Sequence, residues 1–164
     1  MSKSFKKTAR LAVGAALLLG VGFGALSVHA QTAPVPGHQA VEARKAVFTL
    51  IGNNFRPLAA VLKGDVAYDA ADADKRISRL VFLSGLVDES FPDASNLGEP
   101  DTKAKADVWS NRADFDKKSK DFQTHLAALQ QVNATEKSGS EAFKTALAAV
   151  GQDCKGCHES FKVK

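Results

Sequence analysis

The residue types and spacing with the clearest chemistry stand near the end of the sequence: Cys154-Lys155-Gly156-Cys157-His158, followed by Glu159-Ser160-Phe161-Lys162-Val163-Lys164. Cys-x-x-Cys-His reads as a c-type haem attachment site. Each thiol can add across one haem vinyl group, and cysteines three apart on a helix share a face, within reach of two adjacent vinyls. His158 follows the first cysteine by four positions, so the same turn aims its imidazole at the iron. A proximal histidine is one of the ways protein holds haem iron.

Other uses of the two cysteines stay open at this point. A structural zinc ion usually takes four Cys/His ligands and would have to recruit His158 with the distant His125 or His38. A thioredoxin-like dithiol belongs beside a βαβ pattern, and no such pattern is visible. A plain disulfide would close a very short loop inside a helical stretch and leave His158 unexplained. Covalent haem uses all three residues without a distant fourth ligand.

The start of the chain fits the compartment that haem attachment suggests. Lys3, Lys6, Lys7 and Arg10 precede an apolar run from Leu11 to Leu26, and Val28-His29-Ala30 precedes Gln31. Residues 1–30 are expected to be a secretory signal peptide with a small-residue cleavage site. The net charge of +4 comes from 22 basic and 18 acidic residues, and those thirty residues hold four basic and no acidic ones. The mature chain is therefore formally neutral, and the basic pI is no argument for nucleic-acid binding. No other apolar run approaches the roughly 20 residues of a membrane helix, so the mature protein is expected to be exported, periplasmic and free of membrane anchorage.

Four helical patterns must position the motif. Residues 31–38, with Pro34, Pro36 and Gly37, read as a flexible leader before a cytochrome domain over 39–164. The first helix is expected from about Gln39 to Leu62, with Val41, Arg44, Val47, Phe48, Ile51, Phe55, Leu58 and Leu62 near a 3-4 repeat, a stop at Gly64 and a kink or break near Arg56 ahead of Pro57. The second runs from about Asp69 to Asp88, capped by Asp69 or Asp72, with Ile77, Leu80, Val81, Ser84 and Val87 inward. A turn-rich stretch, Phe91 to Pro100, separates the halves. The third helix, about Asp101 to Asn133, carries a heptad through Val108, Arg112, Phe115, Ser119, Phe122, Leu126 and Leu129. Ser138-x-x-Glu141 reads as a capping box opening the fourth, whose inward stripe of Phe143, Leu147, Val150, Cys154, Cys157 and Phe161 puts the cysteines on a core face. The fold class is all-α, an up-down-up-down antiparallel four-helix bundle with haem near one end.

An exported four-helix chain with Cys154-x-x-Cys157-His158 near its C-terminal end resembles cytochrome c′, the class II c-type cytochromes. Further stretches carry the likeness: Ala43-Arg44-Lys45-Ala46-Val47-Phe48, Val61-Leu62-Lys63-Gly64, Ala67-Tyr68-Asp69-Ala70, and Asp101 through Trp109. The resemblance implies one covalently bound haem c, attached at Cys154 and Cys157 with His158 as axial iron ligand. It places Phe48 over the vacant face of the iron, Arg44 and Lys45 against the haem and its propionates, and Asp101 and Thr102 near the haem edge, although Ala106 stands where a proline is common. Trp109 and Phe115 are expected to be core packing. Lys162 lies four residues after His158, on its helical face, where the family often has arginine; lysine keeps the charge and loses the planar fork.

What fills the sixth iron position decides the function. His/Met ligation is common in c-type electron carriers. The chain's one methionine is Met1, in the segment expected to be removed. His38 sits in the leader, and His125, beside Leu126 on a polar-leaning position, is expected to be solvated. The iron is therefore expected to be five-coordinate. Phe48 offers no donor to stabilise bound dioxygen, which leaves NO, and more weakly CO, as ligands; the resemblance implies the same selectivity. The expected function is reversible NO and CO binding with one-electron Fe(III)/Fe(II) chemistry. The alternative is a soluble electron-transfer cytochrome serving a redox partner without a dedicated gas-binding role. An enzyme of peroxidase type would want a distal acid/base residue, and the first helix offers none near Phe48. The resemblance also implies a homodimer packed through the first two helices, with Leu50, Leu58 or Leu83 available for it.

Overall fold

Gly64 ends the first helix as its sequence position predicts. The structure, a computed structural model, describes residues 36–164, so the signal-peptide reading of 1–30 and most of the leader lie outside the described residues. Helix α1 spans Gly37–Lys63, which places Gly37 and His38 in its first turn rather than in a leader. Gly64 takes the left-handed conformation at φ 80°. Its N–H bonds to the Val61 carbonyl at 3.1 Å and that of Asp65 to the Ala60 carbonyl at 3.0 Å, the paired pattern of a Schellman stop. The break expected near Arg56 does not occur: α1 is continuous through Pro57. Proline deprives the Asn53 carbonyl of its helical donor, and the Arg76 Nη1 of the neighbouring helix donates to that carbonyl at 3.4 Å.

Helix α2 spans Ala70–Ser84, with Asp69 as its cap accepting from the Asp72 N–H at 2.7 Å. It stops four residues before the expected Asp88, and the chain turns through two single-turn 3₁₀ segments, Asp88–Ser90 and Asp93–Ser95. The third expected helix is also divided. Residues 101–106 lie outside any helix. Helix α3 is the single turn Asp107–Ser110; Asn111, at φ −119° and ψ 50°, interrupts the helical path, and α4 then runs from Arg112 to Glu136. Helix α5 spans Glu141–Phe161. Its cap is Ser140, not Ser138: the Ser140 hydroxyl accepts from the Phe143 N–H at 3.1 Å.

The four long helices close a ring in which α1 packs on α2 and α5, and α4 packs on the same two. Ile77, Leu80, Val108, Phe115, Leu126, Leu129, Phe143, Leu147 and Val150 are buried at its centre. The heptad expected of the third helix holds, with Phe115, Ser119, Leu126 and Leu129 all buried. Leu58 and Leu83 are also core residues, at 2% and 7% exposure, so neither is available to a partner; Leu50 is 49% exposed and Phe82 is 70% exposed. Among the described residues, no helix is long and apolar enough to cross a membrane.

Candidate haem site

Arg44 is the most constrained charged side chain around the expected pocket. It sits on the inward face of α1 at 4% exposure. Its Nη1 donates to the Ser95 Oγ at 2.8 Å and its Nη2 to the Thr102 Oγ1 at 2.6 Å, with longer contacts of 3.4 Å to the Ser90 and Ser95 carbonyls. The guanidinium also lies 4.6 Å from the centre of the Phe91 ring, in the range of a cation–π contact. No carboxylate pairs with it among the described residues. Burial alone pushes its pKa down from the usual guanidinium value, and the group stays charged because that value starts so high.

Thr102 is buried and works from both sides: its Oγ1 accepts from Arg44 and, at 3.1 Å, from the Ala104 N–H. Its neighbour Asp101 is exposed. Lys45 is exposed as well and pairs with Glu42 at 2.8 Å, one turn back on the same helix. Phe48, one turn after Arg44, is half-buried and meets Phe91 edge-to-face at 6.0 Å. From there an aromatic series crosses the bundle, Phe91 to Phe115 at 4.8 Å and Phe115 to Phe161 at 5.4 Å. Phe115 is core packing as expected. Trp109 packs on Phe91 at 6.1 Å, but its Nε1–H is buried without an acceptor, which packing alone does not account for.

At the other end of that series, Cys154 and Cys157 are free, half-buried and on one face of α5. Burial, with Asp153 and Cys157 adding negative charge, pushes the Cys154 thiol up to about 11. Burial also raises Cys157, against a smaller opposing effect of Lys118. Both are therefore protonated at neutral pH, the form that supplies S–H to a vinyl group. His158 is exposed as a residue, yet desolvation of its ring and the charge of Lys162 lower its pKa. The imidazole is neutral near pH 7, as a metal ligand must be.

Two expectations about side chains on α4 and α5 are corrected. Lys162 does not continue the helical face of His158. Helix α5 ends at Phe161, and Lys162 is its extended C-cap at φ −121° and ψ 134°, bridged antiparallel to Ala104. Glycine or another left-handed residue is absent there, and edge pairing ends the helix instead. His125 is not simply solvated: its Nδ1 lies 2.7 Å from the Asp153 Oδ2, across α4 and α5. The signals for Ser90, Ser95, Phe91 and Asp153 as partners were weak in sequence, since each depends on where a loop or a neighbouring helix arrives.

The residues present fit a haem. The two thiols and the imidazole share one helix end, α1 touches α5 more sparsely than any other neighbouring pair of long helices, and Arg44 and the Trp109 Nε1–H together lack an anion. A four-helix bundle with this motif at the end of its last helix defines a helical c-type cytochrome. Residues 39–162 match the family described as Cytochrome C′, and the chain belongs to that family; haem c, covalently bound, is its cofactor.

The chain is 38% identical over 130 residues to cytochrome c′ of Rubrivivax gelatinosus, covering 79% of this chain and 97% of the relative. Cytochrome c prime from Shewanella frigidimarina superposes with a TM-score of 0.72 at 37% identity, over 79% of this chain and 98% of that one. A nitric oxide complex of a point variant of cytochrome c prime from Alcaligenes xylosoxidans superposes at 0.70 with 28% identity and the same coverage. A carbon monoxide-bound variant of that protein is equally similar.

Proposed function

We propose that this chain is a periplasmic gas-binding haem protein, not an enzyme, with haem joined to Cys154 and Cys157 and the iron held by His158 as its only protein ligand. Haem c supplies an iron centre with one-electron chemistry and an affinity for diatomic ligands. The observation that carries the reading is that no second protein ligand is available among the described residues. The single methionine is Met1, His38 is exposed at the start of α1, and His125 is engaged by Asp153. What α1 offers instead is the apolar ring of Phe48. NO and CO need no proton donor to bind, so an apolar cover admits them while giving dioxygen no hydrogen bond. The nitric oxide and carbon monoxide complexes of variants of the Alcaligenes protein support the same assignment.

Arg44 would hold a haem propionate, since that carboxylate would supply the anion its buried guanidinium lacks, and the Trp109 Nε1–H fits the same acceptor. Thr102 fixes Arg44 there. Asp101 and Lys45 belong at the exposed edge of the pocket, where water screens their charge. The pocket side is thus fixed by α1 and the 101–109 segment, and the attachment side by α5. Titration of the ferrous protein with NO and with CO, followed by absorption, tests the proposal: saturable and reversible changes are expected with both, and an unchanged spectrum would refute it.

A homodimer through α1 and α2 accompanies this reading. Leu50 and Phe82 are the large apolar side chains exposed on those helices, and each would lose water contact against a second copy. Residues 1–30 would direct export and be removed.

A further inference from the structure

Helix α5 would normally fray just where it carries His158, because the last turn of a helix leaves its carbonyls without internal donors. In this chain a separate segment supplies them. The Lys105 N–H donates to the Phe161 carbonyl at 2.9 Å, and the Val163 N–H to the Lys103 carbonyl at 2.8 Å, the two bonds of an antiparallel bridge centred on Ala104 and Lys162. The Lys105 Nζ also donates to the Glu159 carbonyl at 3.1 Å, one residue beyond His158. The Lys162 N–H closes onto the His158 carbonyl itself at 3.1 Å. Segment 103–105 is in turn held from behind, since Ala104 donates to the buried Thr102 Oγ1 that Arg44 also grips. The ring of Phe161, packed on Phe115 at 5.4 Å, pins the same turn from the core side.

We propose that residues 103–105 and 161–163 form a clasp that positions His158, fixing the imidazole against the iron and joining it mechanically to the Arg44 side of the pocket. The residues of the clasp are positioning residues; none of them touches the iron. The inference rests on His158 being the iron ligand. A held imidazole keeps one orientation and a short bond to iron, whereas a frayed turn samples several and yields the iron more readily to a competing ligand. Lys162 therefore acts through its backbone.

Two single substitutions each delete one bridge donor from opposite strands. Val163→Pro removes the N–H that Lys103 accepts, and the extended backbone of Lys162 already suits a following proline. Lys105→Pro removes the N–H bonded to Phe161 together with the Nζ contact to Glu159. Val163→Ala keeps every backbone donor and serves as the control. The readout is the iron–histidine stretching band of the ferrous holoprotein in resonance Raman, with circular dichroism confirming the bundle. In both proline variants the band is expected to shift to lower frequency and broaden, with the control matching the parent. Folded proline variants whose band coincides with that of the parent would overturn the clasp while leaving His158 as ligand. A parent protein with no such band would instead refute the ligand assignment.

Discussion

Phe48 is the residue on which ligand access turns. If its ring covers the open side of the iron, every ligand arriving there must displace it, and the clash weighs on the bound state alone. Phe48→Ala should then speed CO association and tighten CO binding, each 1.4 kcal/mol of relieved clash being worth about tenfold in affinity. The ring is half-buried, so the substitution should cost roughly 2 kcal/mol of stability rather than the full loss of a core phenylalanine. Flash photolysis with a parallel urea melt checks both, and a folded variant with parental CO kinetics would remove Phe48 from its role. At Arg44 the expectation concerns geometry: Arg44→Lys keeps the charge but cannot reach Ser95 and Thr102 at once. It should lose about 2 kcal/mol in denaturant unfolding; a loss within error of zero would mean that the fork is dispensable. Arg44 was legible in sequence as an inward charged residue one turn before Phe48, but its partners were not. Ser95 and Thr102 come from a loop without periodicity, and only the fold brings them to the guanidinium.

The helices themselves were the most legible elements, because each buries one apolar stripe at a regular spacing and α1 carries its own stop at Gly64. The third helix starts later than its sequence pattern predicts, for a reason visible in its contacts. Asp101 to Ala106 has helix-forming composition, yet Thr102 accepts from Arg44, and Lys103 and Lys105 spend their backbone hydrogen bonds on the 161–163 segment, so tertiary pairing overrides local propensity. The cap of α5 lies two residues after the one its sequence predicts, because two serines compete in Ser138-Gly139-Ser140 and Ser140 is the one that reaches the Phe143 N–H. Ser140→Ala should therefore cost about 1 kcal/mol, and Ser138→Ala next to nothing, in thermal or urea unfolding. Equal effects would contradict the cap assignment. Where α1 begins, Gly37 lies against the loop that carries Ser95: a Cβ built there would stand 2.1 Å from the backbone oxygen of Ala94. Gly37→Ala must push that loop aside. A loss of about 1–3 kcal/mol is expected in urea unfolding, and a variant as stable as the parent would mean that the approach is not needed.

At the scale of the whole molecule, the bundle leaves Phe82 at 70% and Leu50 at 49% exposure, on the two helices expected to meet a second copy. Phe82→Lys touches no core contact, so it should convert a dimer to monomers in light scattering without lowering the melting temperature of the protomer by more than the lost association explains. A parent protein that is monomeric at high concentration would end that proposal. The pocket and the attachment face support one proposal, on which the clasp also rests: that the iron has a single protein ligand and an open side. The absorption spectrum of the purified holoprotein in both oxidation states tests it most directly. Five-coordinate, high-spin ferric and ferrous spectra near neutral pH are predicted, with a new spectrum on adding NO; six-coordinate, low-spin spectra in both states, unchanged by NO, would contradict it.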